Sequence, residues 1–387
     1  MITTATYKKI YALVVVLGPI LSQYSIGAIE LDLIAMLLVM MIGILGRAKS
    51  KGGLNTSIII FLIYVVIETI FNLIGGTHYS ETTDIILRSG RYCLYIYFVL
   101  LKNLGYFDYS IVFKYYRKVV YLAFAYILIQ AAAFYATGLV LPNKIGGSAA
   151  ALYTASVGRF RSFYSEPAAL AYGIIPFTVC SLFGPKYEKS KNMLIDAVIS
   201  SGAIILSTSG QGVICLTAVW GMWLIISFKS ARITAPRLLL MMIILLAVAV
   251  LAGSPIINYT IGRANSIEQN GAIAARISGY SSLRLLSKMQ LLFGAGVGNY
   301  IVKNAYNIKT VFSSIYYSTI AEYLFTTGII GTSIFVSAFV TRYRGSSINV
   351  KVLILATLIL SFGGAPLSGA FIPLYLSLIF SGSEEHV

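Results

Sequence analysis

Residues 56 to 75 read TSIIIFLIYVVIETIFNLIG, twenty residues with Glu68 as the single charge. A helix of that length crosses about 30 Å of hydrocarbon. Lipid offers a backbone no hydrogen-bond partner, so such a run must satisfy its own N–H and C=O groups and is predicted to be a helix. Comparable apolar runs recur at residues 10–27, 29–46, 84–101, 119–140, 167–184, 193–207, 211–228, 238–254, 316–340, 350–364 and 367–381, about twelve in all. The period-two alternation that a membrane β-barrel needs is absent. The expectation is an all-α polytopic membrane protein, one integral membrane domain over residues 1–387.

Composition agrees. Hydrophobic residues make up 58% of the 387 and charged ones 11%, against roughly 25% charged in soluble domains. Cys93, Cys180 and Cys215 are scattered through apolar runs, an odd set with no metal or disulfide spacing. Lys8 and Lys9 precede the first apolar run without a small-x-small cleavage site, so a retained first helix is expected.

The formal charge of +16 is distributed with a purpose. Lys8 and Lys9; Arg47, Lys49 and Lys51; Lys102, Lys114, Arg117 and Lys118; Lys186, Lys189 and Lys191; Lys229, Arg232 and Arg237; and Arg342, Arg344 and Lys351 fall where cytoplasmic turns would lie if both termini face the cytoplasm. His78, Glu81 and Asp84 then mark an outer turn. Two larger outer loops follow, residues 141–166 and 255–315. Both break the rule by being basic, with Lys144, Arg159 and Arg161 in the first and Arg263, Arg276, Arg284, Lys288, Lys303 and Lys309 in the second. An anionic partner is implied there; nucleic acid is not expected on that side, and phosphate-bearing lipid is the leading candidate.

The first loop ends in Gly-Arg-Phe-Arg-Ser-Phe-Tyr-Ser-Glu-Pro, residues 158 to 167. Arg159, Arg161 and Glu166 thus crowd the edge of an apolar segment, where charge persists only if solvated, paired or engaged with substrate. A guanidinium fork matches phosphate oxygens and stays charged. In the second loop Ile273, Ile277, Leu285 and Met289 share one helical stripe and Arg276, Tyr280, Arg284 and Lys288 an adjacent one, predicting an amphipathic helix with a basic edge towards headgroups or substrate. A plain interfacial helix with snorkelling cations gives the same pattern. Gly294, Gly296 and Gly298 lack the preceding strand and ribose acid of a dinucleotide loop, which leaves a tight turn whose N–H groups could face an anion.

Taken in order, these pieces resemble the O-antigen polymerase (Wzy-type) and O-antigen ligase superfamily. An Arg-led loop ending in Glu-Pro is matched by Arg159, Phe163 or Tyr164, Glu166 and Pro167; a Ser/Thr-Gly break by Leu206 to Gly212; an Arg-led helix and Phe-Gly-x-Gly-x-Gly turn by Arg276 to Gly298; and a Gly-x-x-Gly signature by Gly328 to Gly331. The resemblance covers roughly residues 155 to 335. It departs from the ligase branch at Ser313 to Ser318, where a functional His is missing. The resemblance implies a GT-C-like bundle in the bacterial inner membrane, with its active site towards the periplasm. It implies a polymerase for lipopolysaccharide assembly that joins repeat units carried on undecaprenyl pyrophosphate, with a chain-length regulator protein as a candidate partner; no cofactor is expected, and no metal ion either, since no external cluster of His, Asp or Glu has ligand spacing. Arg159, Arg161 and Arg276 would stabilise the departing pyrophosphate, with Arg284 and Lys288 in support. Glu166, or second to it Glu322, would serve as base, unless Glu166 only fixes an arginine. Tyr153, Tyr164, Tyr280, Tyr300, Tyr316 and Tyr317 suit stacking on sugars. A ligase of finished glycan shares this chemistry. A transporter or flippase of lipid-linked sugars is the alternative of another class, supported by Glu30, Asp32 and Glu68 in early spans but lacking related halves.

Overall fold

A computed structural model describes residues 4–27, 29–45, 56–75, 78–101, 106–145, 159–184, 193–229, 278–300 and 316–380. The chain falls into two compact units, Met1–Val120 with Ala274–Val387, and Tyr121–Ile273. Helices dominate both, and the protein is membrane-embedded. Among the described residues five helices are long and apolar enough to cross a bilayer: α1 (Thr4–Leu21), α3 (Thr56–Gly75), α5 (Tyr109–Thr137), α8 (Gly210–Lys229) and α10 (Thr319–Arg344). Shorter apolar helices are α2 (Leu31–Leu45), α6 (Pro167–Phe183), α7 (Met193–Leu206), α11 (Ile348–Gly363) and α12 (Phe371–Phe380). α4 (Thr82–Leu100) has the length, but Asp84, Arg88 and Arg91 interrupt its apolar face. The run at 238–254 lies outside the described residues.

The architecture is helical as expected, with one two-residue antiparallel ladder among the described residues, β1 (Ser25–Ile26) with β2 (Ile29–Glu30), at the positive φ of Gly27. Two expectations are corrected. α5 starts ten residues before its apolar run, because Asp108 Oδ1 accepts from the Ile111 N–H at 3.3 Å and from Ser110 Oγ at 2.8 Å, and Lys8 pairs with Oδ2 at 3.2 Å. A capped polar turn thereby extends the helix to about 43 Å at 1.5 Å per residue. The continuous amphipathic helix through Lys288 and Met289 does not exist. A 3₁₀ turn (Ser282–Leu285) ends at Leu286, whose backbone is extended, and Ser287 opens a new short helix, α9 (Lys288–Phe293), through a capping box with Gln290.

In the larger unit, Tyr11 of α1 stacks on Phe98 of α4 at 4.8 Å and reaches Ser377 of α12 at 3.3 Å, while Phe61 of α3 packs against Tyr323 and Phe335 of α10. In the smaller unit α6 is buried along nearly its whole length. There Thr178 meets Ser200 at 2.9 Å and Trp220 donates to Ser201 at 2.9 Å. Such small polar contacts hold helices together where lipid removes the hydrophobic drive between them. Cys93, Cys180 and Cys215 form no disulfide.

Candidate functional site

The loop that enters α6 is pinned at several points. Ser162 takes a left-handed backbone, φ 49°, and is fully buried; its N–H donates to Gln130 Oε1 at 2.9 Å. Asn143 donates to the Tyr164 carbonyl at 2.9 Å. Phe163 stacks on Tyr126 at 4.6 Å, and Phe160 packs edge-on against Phe134 and Tyr135. The Arg161 guanidinium folds back onto the Ser165 carbonyl at 2.8 Å. Arg159 is half-buried, and Glu166 is the residue before Pro167 at the start of α6, with no side-chain cap bond. Tyr164 was expected to face substrate; its ring is buried against α6, on the surface that the missing side chain of Gly173 leaves open, and burial raises its phenol. Beyond α6, the break between α7 and α8 falls at 207–209, with Thr208 at φ 53°, and Tyr172 donates to Gln211 Oε1 at 2.8 Å across it.

The larger unit holds the second cluster. α10 is interrupted at Gly328, φ 62° and ψ −171°. A helix broken there leaves carbonyls one turn earlier without their i+4 donors. Ala295 and Gly296 supply them, their N–H groups reaching the Phe325 and Thr326 carbonyls at 2.9 and 3.0 Å. The turn 294–298 therefore lies on the break as a short backbone-to-backbone seam, and a Cβ on Gly294 or Gly328 would strike the facing chain. Tyr64 of α3 closes the seam, its hydroxyl 2.6 Å from the Phe293 carbonyl and 3.1 Å from that of Thr327. Asn299 fixes the far side, accepting from the Tyr79 N–H at 2.7 Å and donating to the Ala295 carbonyl at 2.7 Å. The N–H groups of Gly294, Ala295 and Gly296 are thus committed within the protein, the first to the Gln290 carbonyl. The carboxyl the turn influences is that of Glu68, which is buried, accepts from Asn72 on one oxygen, and has no hydrogen bond of normal geometry on Oε2; the dipoles acting on it are the amides of Gly296 and Val297.

Just past the turn, Tyr300 donates to Glu322 Oε1 at 2.6 Å. Arg88 lies over the Tyr300 ring at 5.5 Å, and Tyr317 packs against it at 5.3 Å. Burial, and after it the Glu322 charge, pushes the Tyr300 phenol well above its ordinary range, so it stays a donor. Tyr280 donates to the Phe362 carbonyl at 2.9 Å and accepts from Ser318 at 3.0 Å. Arg284 and Lys288 are exposed. Of the expected site residues, then, Arg159, Arg161, Tyr164 and Glu166 belong to the smaller unit, Tyr280, Arg284, Lys288, Tyr317 and Glu322 to the larger, and Arg276 lies outside the described residues. Sequence reasoning missed Arg88. The signal was there, since two arginines, Arg88 and Arg91, stand inside an otherwise apolar run. No protein-family model matches the chain, and no curated protein is significantly similar to it.

Proposed function

We propose that the protein is a membrane glycosyltransferase of the O-antigen polymerase type, which transfers a glycan from one polyprenyl-pyrophosphate carrier to the end of a repeat unit on another at the periplasmic face of a bacterial inner membrane. Twelve spans with both termini in the cytoplasm would put the two arginine-bearing loops on that face. The observation that supports this most is the anchoring of the Arg159–Glu166 loop. A cation kept only for topology needs no fixed backbone, whereas here a glutamine holds the N–H of a buried left-handed serine, Ser162, and an asparagine holds the Tyr164 carbonyl, fixing the main chain directly after the two arginines. Preorganised guanidinium groups stabilise charge that appears on a departing pyrophosphate without reorganising as it forms.

Arg159 and Arg161 would hold the leaving group, with Arg276 as the third arginine of the family pattern. Glu166 is the base by motif and Glu322 the second choice. Ligation of finished glycan to another acceptor would use the same residues. The transporter reading has its own support in the broken α10 and the buried Glu68, since interrupted helices and intramembrane acids mark transport paths. At that break the Phe325 and Thr326 carbonyls each accept a hydrogen bond from the 294–298 turn, however, which favours a structural role for it. The test is reconstitution in liposomes with polyprenyl-pyrophosphate-linked repeat units and a gel of the products. A ladder of lengthened glycans is expected. Movement of the lipid-linked units across the bilayer without any lengthening would overturn the enzyme reading in favour of the flippase.

A further inference from the structure

Glu322 stands one turn into a membrane-spanning helix, a position where a carboxylate is expensive and is retained for use. Among the described residues its carboxylate has the Tyr300 hydroxyl as hydrogen-bond partner, and no Lys or Arg lies within ion-pair distance of it. Tyr300 itself is firmly placed. Its N–H donates to Ser80 Oγ at 3.1 Å and its carbonyl accepts from the same hydroxyl at 2.7 Å. Arg88, by contrast, is exposed and loosely held, 3.4 Å from Asp84 and 3.5 Å from the Gly298 carbonyl, so most of its five N–H donors have no hydrogen-bond partner among the described residues. An aromatic ring is thus flanked by a guanidinium at its face and a carboxylate at its hydroxyl.

We infer that Arg88, Tyr300 and Glu322 form the acceptor-sugar site, with Glu322 as the base that takes the acceptor proton, Tyr300 as the residue that positions it, and Arg88 as a ligand for acceptor oxygens. This rests on the glycosyl-transfer reading above. As the acceptor oxygen bonds to the anomeric carbon of the donor, its proton passes to the Glu322 carboxylate. The bond from that carbon to the pyrophosphate oxygen breaks, its electron pair leaves with the polyprenyl pyrophosphate, and the proton is later released to water. The competing role for the same contact is a clamp holding the 294–300 segment on α10. A clamp survives Glu322→Gln, because the amide oxygen still accepts from Tyr300; a base does not.

Azide separates the two. Being an anion with no proton to lose, it attacks the donor without a base. Wild type and Glu322→Gln are reconstituted with lipid-linked repeat units, with and without sodium azide, and products are read by mass spectrometry. Glu322→Gln is expected to lose polymer formation about 100-fold yet form glycosyl azide as fast as wild type. Tyr300→Phe should lower kcat about tenfold with the acceptor KM unchanged, and Arg88→Lys should raise that KM. Polymer from Glu322→Gln within a factor of about two of wild type, or equal loss of polymer and glycosyl azide, would overturn the base. An unchanged kcat in Tyr300→Phe, a change of a single hydroxyl, would remove the positioning role even if Glu322→Gln failed to fold. No polymer from wild type would instead sink the glycosyl-transfer reading itself.

Discussion

Arginine and lysine carry the same charge, so their exchange tests whether shape matters. Lysine lacks the planar fork, and Arg159→Lys and Arg161→Lys are each expected to reduce polymer formation at least about tenfold at normal membrane abundance; Arg276→Lys belongs in the same set. Wild-type polymer from all three would reduce them to topology signals. Glu166→Gln offers a sharper reading. If Glu322 takes the proton, this variant should keep kcat within about tenfold of wild type, whereas a fall of about 100-fold would return the base to Glu166. At Asp108, burial works against the charge, but hydrogen bonds from Ser110 and the Ile111 N–H, and then Lys8, hold the carboxyl below the usual range. A depressed folded value contributes stability that is present above the ordinary carboxylate value and lost as pH falls through the folded one. Asp108→Ala should therefore cost about 1 kcal/mol at neutral pH, and the gap to wild type should close below about pH 4, as read by unfolding in detergent.

Helices were legible wherever lipid alone dictates them, and less so wherever a local polar contact decides. The start of α5 was hidden because Asp108, Ser110 and Lys8 cap it from outside the apolar run. The helix drawn through Arg276, Tyr280, Arg284 and Lys288 failed because its periodicity crossed Ser287, although Ser-x-x-Gln is itself a start signal; with the stripe broken there, Lys288 follows the register of α9. The glycine turn was visible as a turn, but not its partner, because pairing between residues 295–296 and 325–326 leaves no trace in either segment alone. Gly328→Ala tests that pairing. A side chain would resist the positive φ at a cost of about 1–3 kcal/mol and meet the 292–294 backbone, so residues 278–300 should become open to protease while α3 and α4 stay protected. Unaltered cleavage would show that the break tolerates a Cβ.

For the whole molecule, the basic pattern makes a claim about sidedness. In a background without Cys93, Cys180 and Cys215, single cysteines at Ser148 and Asn270 should react with an impermeant maleimide from outside the cell. Labelling from the cytoplasmic side alone would invert the arrangement and move both arginine-bearing loops away from any periplasmic substrate. The proposed acceptor site was partly legible: Glu322 and Tyr300 are named from sequence, whereas Arg88 is absorbed into the apolar run 84–101, whose aliphatic and aromatic residues outweigh Arg88 and Arg91 in hydropathy.

The seam at Gly328 also bears on how the chain is made. Residues 278–300 leave the ribosome before α10 does, so the turn is waiting when the broken helix arrives. If α10 is already broken at Gly328 before they meet, its Phe325 and Thr326 carbonyls lack these partners, and each costs several kcal/mol where it faces hydrocarbon. In that case insertion of α10 and docking of the turn are one event rather than two. A nascent chain in which residues 294–298 are replaced by alanine should stall with α10 accessible at the membrane edge, a birth defect rather than a loss of activity in the finished protein.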